Sequence, residues 1–202
     1  MRICDALELS LARLKNSVTS ILDSRILLAH IIHCSQEELL INYNKELDQN
    51  TESKFFKLVT RREKQEPIAY ILEKQEFYGL EFIVNKHVLI PRPETELIID
   101  ILRDNSLTKP QHNNIINILE LGIGSGAIAI SLAKEVPTSN IIAVDISDKA
   151  IKIAESNILK HQVQSQVTII KSNWYSELKE EKKYSYIVSN PPYINRNDTC
   201  EM

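Results

Sequence analysis

Gly122, Gly124 and Gly126 fall together at the end of an apolar run, Ile118-Leu119-Glu120-Leu121, and are followed at once by Ala127 and a stretch of helical periodicity. A strand, a glycine-rich turn and a helix in that order constrain the fold more than any other feature. Glycine lets the chain turn sharply and lets a ligand approach the backbone with no Cβ in the way. The pattern around it repeats the theme. Apolar runs at 115–121, 140–145, 167–171 and 184–189 alternate with helical stretches at 127–135 and 149–161. Such alternation predicts right-handed βαβ units and a parallel sheet. With 202 residues, 43% of them hydrophobic, the chain is long enough to bury a real core.

The first part of the chain has a different character. Glycine is absent before Gly79, and apolar residues recur at helical spacing, as at Ile26, Leu27, His30 and Ile31. Ser35 and Glu38 form a capping-box pattern ahead of Leu39-Leu40-Ile41, and Thr51 is expected to cap the amphipathic stretch around Phe55 and Val59. Aromatics flank the turn residue in Glu76-Phe77-Tyr78-Gly79-Leu80-Glu81-Phe82, which predicts a β-hairpin. The expected organisation is therefore a helical domain over 1–74, a hairpin linker over 75–92 and an α/β domain over 93–202. Pro93 suits the first turn of a helix through Leu97, Ile98, Ile101 and Leu102.

Charge and cysteine usage narrow the function classes. The formal net charge is −3, and the basic residues are spread along the chain, so no patch argues for direct nucleic-acid binding. Cys4, Cys34 and Cys200 are spaced for neither a disulfide framework nor a zinc site, which suggests a cytoplasmic protein with no metal. No run of about 18 apolar residues predicts a membrane span, and no signal peptide is expected.

Asp145 lies 19 residues beyond Gly126, at the end of the second apolar strand, where a carboxylate can accept from both hydroxyls of a ribose. A nucleoside cofactor is the reading this context favours. The spacing Gly122-Ile123-Gly124-Ser125-Gly126 brings the third glycine one residue earlier than in the dinucleotide fingerprint, which disfavours NAD. With Glu120 two residues ahead, the loop resembles motif I of class I methyltransferases, which bind S-adenosylmethionine. Glu120 itself has two readings, a member of that motif or a strand-end residue facing solvent.

Ser189-Asn190-Pro191-Pro192-Tyr193 follows another apolar run, so it falls at the carboxyl end of a parallel strand, the edge at which such sheets bind ligands. Two consecutive prolines fix φ near −65° and remove two N–H donors, which leaves carbonyl acceptors. The Asn190 side-chain oxygen and the Pro191 carbonyl can each accept one hydrogen of an –NH2 group, with Tyr193 as a flat apolar wall. That arrangement suits transfer to a planar amide nitrogen, whose lone pair is delocalised and needs acceptors on both hydrogens as attack begins. An ordinary Asn-Pro turn is the alternative.

These residues resemble the HemK/PrmC-type family of glutamine N5-methyltransferases. Three more segments carry the resemblance: Glu66-Pro67-Ile68-Ala69-Tyr70, Leu89-Ile90-Pro91-Arg92-Pro93-Glu94-Thr95-Glu96, and the run from Ser172 through Trp174 to Ile194. The resemblance implies a Rossmann-like methyltransferase domain behind a helical domain that helps recognise the protein substrate, the GGQ glutamine of class 1 peptide chain release factors. It implies that Gly122, Ile123, Gly124, Ser125, Gly126, Asp145, Trp174 and Asn190 hold S-adenosylmethionine, and that Asn190, Pro191, Pro192 and Tyr193 form the catalytic loop. Without the resemblance, Trp174 reads as a core residue. Arg92 either orients an acidic group or pairs with Glu94 or Glu96 on the surface. Other functions weighed are glutamine methylation of a ribosomal protein, adenine N6 methylation of nucleic acid, and a non-catalytic remnant that docks a release factor.

The chain ends nine residues after Tyr193, where the resemblance implies further strands. The strand carrying Asn190 is then expected to present an exposed apolar edge. The expected outcome is a 202-residue chain that melts poorly or turns over slowly, and a cooperative melt together with full turnover would contradict it.

Overall fold

The computed structural model describes residues 1–108, 115–179 and 183–191. They form two compact units that divide between Glu73 and Lys74.

The first unit is helical: α1 (Ile3–Arg13), α2 (Ser20–Ile32), α3 (Gln36–Ile41), α4 (Gln49–Glu63) and α5 (Ile68–Leu72). Its core is the set that the helical spacing brings inward, with Ile3, Leu7, Leu27, Leu28, Leu39, Phe55 and Val59 buried together. The capping box at Ser35 and Glu38 is present: the Glu38 amide donates to Ser35 Oγ at 3.1 Å and the Ser35 amide to Glu38 Oε2 at 2.9 Å. The cap of α4 is not Thr51. Asp48 takes that place, its carboxylate accepting from the Thr51 amide at 2.9 Å and the Thr51 hydroxyl at 2.7 Å. A carboxylate there also faces the positive end of the helix dipole, an advantage over the hydroxyl expected from the sequence.

Two arginines of α4 organise this unit. Arg61 binds the Glu66 carboxylate and donates to the Tyr70 carbonyl at 3.2 Å, which fastens the Glu66-Pro67-Ile68-Ala69-Tyr70 segment to α4. Arg62 Nε donates at 2.8 Å to Asp23, which is only 4% exposed and also accepts from Ser17 Oγ and Thr19 Oγ1. A buried carboxylate left without its cation is strongly unfavourable.

The second unit opens on the antiparallel hairpin β1 (Lys74–Phe77) and β2 (Leu80–Ile83), with Tyr78 and Gly79 in the left-handed region at its turn. A 3-10 turn over Pro93–Thr95 leads into α6 (Glu96–Thr108). Glu96 Oε1 accepts from the Tyr78 amide at 2.8 Å, and the Tyr78 hydroxyl meets Asp100 and Arg103, so the start of α6 clamps the hairpin turn. Glu96 thus serves the hairpin backbone.

Then β3 (Ile116–Leu121), α7 (Ala127–Glu135), β4 (Ser139–Asp145), α8 (Asp148–His161), β5 (Val167–Lys171) and β6 (Tyr186–Ser189) form a parallel sheet of order β5-β4-β3-β6. The central β3 is buried from Ile118 through Leu121, as a strand covered on both faces must be. Leu119, Leu121, Ile142 and Val144 make one apolar face, against which Ile170, Leu178 and Tyr184 pack. The strand order puts β3 and β6 side by side, so Leu121 pairs with Ser189 and the loops that follow both strands emerge at one edge. Among the described residues β6 is an edge strand, and Ile187 on it is 55% exposed.

Asp23→Ala should lower the unfolding free energy by about 3–5 kcal/mol, because it strands Arg62 in a largely buried place. Urea unfolding of the full chain measures this, and a shift below about 1 kcal/mol would remove the ion pair from the account of this unit.

Candidate functional site

Four strand ends, those of β3, β4, β5 and β6, meet at the carboxyl edge of the sheet. Gly124 and Gly126 follow β3 with left-handed φ of 53° and 85°, a conformation that a side chain with Cβ takes only under strain. At Gly126 an added Cβ would also stand 3.0 Å from Ile130 Cδ1, so that side chain would have to give by a few tenths of an ångström. The Gly124 amide donates to Asp145 Oδ2 at 3.0 Å, and the Ser147 amide donates to Asp145 Oδ1 at 2.9 Å. The end of β4 therefore fixes the glycine loop, while each carboxylate oxygen keeps acceptor capacity for a ligand. Asn157 of α8 is fully buried and holds the loop from behind, donating to the Ser125 carbonyl at 2.8 Å and the Ile83 carbonyl at 2.9 Å, and accepting from the Ile83 amide.

Glu120 does not face solvent. It is 1% exposed, and Oε2 accepts from the Ala129 amide at 3.0 Å, so a strand side chain satisfies one of the free donors in the first turn of α7. Burial pushes its carboxyl up to about 8; the hydrogen bond from Ala129 acts the other way, and the charge of Asp145 adds to the rise.

Trp174 is not a core residue. It is 52% exposed, stands in the left-handed region at φ 53°, and belongs to a turn fastened by Ser172. Ser172 Oγ donates to the Trp174 carbonyl at 2.9 Å and accepts from the Glu177 amide at 3.2 Å. A bulky residue in that conformation is strained, and such strain collects where a side chain must be presented.

Gly122, Gly124, Asp145, Trp174, Asn190 and Pro191 all line one cavity of about 350 Å³, within the range that encloses a small-molecule ligand. Of the residues expected to hold a cofactor, Ile123, Ser125 and Gly126 do not line it; they shape the loop behind it. Ile123 and Ser125 line a smaller cavity of about 50 Å³ with Glu120, Thr95 and Asn190. Pro192 and Tyr193 lie outside the described residues. The sequence reading missed His87, Val88, Leu89 and Ile146 in the larger cavity. The signal for Leu89 was present, since it begins the Leu89–Glu96 segment already singled out; His87 and Val88 carry no such mark. Among the described residues no group of His, Cys, Asp and Glu can hold a metal ion, and no helix is long and apolar enough to cross a membrane.

The lining brings together a carboxylate at Asp145, a half-exposed indole at Trp174 and open backbone at the glycine loop. Together with the four parallel strands it defines a Rossmann-like class I methyltransferase domain, here preceded by a helical unit. Residues 95–202 match the Methyltransferase small domain, and residues 5–72 match the PrmC N-terminal domain. The chain belongs to the methyltransferase small domain family. A protein of Rickettsia conorii called bifunctional methyltransferase is 45% identical over 201 residues, covering 90% of this chain and 38% of that protein. The release factor glutamine methyltransferase of Buchnera aphidicola is 41% identical over 172 residues, 85% of this chain and 60% of that one. That of Burkholderia pseudomallei is 37% identical over 191 residues, 92% and 65% respectively. The chain thus spans less than two thirds of the length of each.

Glu120 gives a pH test with a definite sign. Its folded pKa of about 8 lies above its ordinary value of 4.5, so its protonated form favours the folded state. The stability this contributes is complete below pH 4.5 and is lost as pH rises toward 8. Glu120→Gln should flatten that decline, removing a slope of at most about 1.4 kcal/mol per pH unit. Denaturant midpoints of both proteins across this range measure it; parallel profiles would show that Glu120 is charged when folded.

Proposed function

We propose that this chain carries the methyl-transfer activity of a release factor glutamine methyltransferase, moving a methyl group from S-adenosylmethionine to the side-chain amide nitrogen of the GGQ glutamine in class 1 release factors, in the cytoplasm. The observation that carries the reading is the place of Asn190, at the end of β6 and on the wall of the large cavity beside Asp145 and Trp174. The relatives of that name, similar over most of this chain, support the choice of a protein glutamine as acceptor.

The lining fits the cofactor. Asp145 would accept from the ribose hydroxyls with the lone pairs that Gly124 and Ser147 leave open, and Trp174 would offer a flat face to the adenine. The glycine loop leaves open space, since a Cβ at Gly122 or Gly124 would meet nothing within 4 Å. When bound, S-adenosylmethionine supplies a methyl group on a sulfonium sulfur, ready for in-line displacement. Asn190 Oδ1 and the Pro191 carbonyl then each accept one hydrogen of the glutamine –NH2, which turns the nitrogen toward the methyl and returns electron density to it. With the cofactor in place, the N–C bond would form as the S–C bond breaks, and the nitrogen would pass one proton to water. No strong base is needed, and the acceleration comes from positioning and from acceptors set where positive charge develops on nitrogen.

Incubation with S-adenosylmethionine bearing a labelled methyl should label a purified release factor and leave its Gln→Ala variant at the acceptor unlabelled. Label on both proteins would move the acceptor elsewhere, and label on neither would sink the proposed activity for this chain.

A further inference from the structure

The Pro91–Glu96 segment belongs to one of the three further segments that carry the family resemblance, and the mechanism above uses none of it. Pro93 opens a 3-10 turn that the Thr95 amide closes on the Arg92 carbonyl at 3.0 Å, and the next residue, Glu96, is held by the Tyr78 amide. Thr95 is thereby fixed on both sides. Its Oγ1 lies 2.9 Å from Asn190 Nδ2, a contact between residues 95 positions apart that brings the turn against the end of β6. Both residues line the small cavity behind the glycine loop.

A primary carboxamide has two ends of nearly equal size and opposite polarity. Rotated by half a turn about its last bond, Asn190 would offer –NH2 to a substrate that is itself –NH2, and no hydrogen bond could form. In the structure the Nδ2 end is the one turned to the Thr95 hydroxyl, which serves there as acceptor. We propose that Thr95 is a positioning residue for the transfer reaction: its hydroxyl takes the hydrogen bond from Asn190 Nδ2, so that Oδ1 is the end left to receive an N–H of the substrate amide. This rests on the glutamine reading above and assigns to the Pro91–Glu96 segment a role in orienting the acceptor.

Two variants separate the hydroxyl from the shape of the side chain. Thr95→Val keeps the shape and removes the acceptor, whereas Thr95→Ser keeps the acceptor. In the full chain labelled with 15N, the Asn190 side-chain signals are identified by their disappearance in Asn190→Asp. Exchange of those hydrogens with water should quicken about tenfold or more in Thr95→Val and stay near wild type in Thr95→Ser. Methyl transfer should lose about 10²-fold in kcat in Thr95→Val, with cofactor affinity retained and kcat recovered in Thr95→Ser. Unchanged Asn190 exchange in Thr95→Val overturns the proposal, as does an unchanged kcat. If the wild-type chain labels no release factor, the functional reading fails by itself, and side-chain exchange alone decides whether Thr95 holds Asn190.

Discussion

The hydrogen bond from the Gly124 amide to Asp145 joins the loop after β3 to the end of β4, and the rest of the site is arranged around it. It requires a backbone that only glycine adopts without strain, and a carboxylate 21 residues further along the chain. Once it forms, the loop has one shape. Asn157 holds that shape from behind through Ser125, and Glu120 fills the gap between β3 and the first turn of α7. The cavity that results is lined from the ends of β3, β4, β5 and β6 and from His87, Val88 and Leu89.

Glu120 and Asp145 illustrate how one edge of a sheet can give two carboxylates different characters. Asp145 accepts from two amides and opens on the large cavity; Glu120 is enclosed and accepts from one. Burial without a cation favours the neutral acid at Glu120. The helical unit solves a similar difficulty in another way, by giving buried Asp23 the guanidinium of Arg62.

What the sequence made legible was local. The glycine loop, the alternation of strands and helices, the hairpin turn at Tyr78-Gly79 and the capping box at Ser35 are each written in a few neighbouring residues, because periodicity and turn chemistry act over short spans. Gly122, Gly124, Asp145 and Asn190 line one cavity and were found because each stands at or near a strand end, whereas Trp174, which also lines it, was singled out only by the family resemblance. Two questions that the sequence left open have a common cause. Whether Glu120 faces solvent depends on α7, and whether Trp174 is covered depends on the turn that Ser172 fastens; neither is a property of the residue's own neighbours. The cap at Asp48 was missed for a smaller reason: Asp48 and Thr51 both suit the position, and the hydrogen bond runs between them. The contact of Thr95 with Asn190 joins turns so far apart in the chain that no spacing rule links them.

Trp174 is the chain's single tryptophan, and it stands half exposed on the cavity wall of the second unit. The intrinsic fluorescence of the protein therefore has one principal source, at one place. Its emission is a direct gauge of what occupies the cavity and of the integrity of the turn that presents the indole. The helical unit, residues 1–73, contributes no tryptophan light at all. A melt followed by tryptophan emission would register the α/β unit and pass over the helices, so an optical measure of the whole protein has to be paired with far-ultraviolet dichroism, to which every helix contributes.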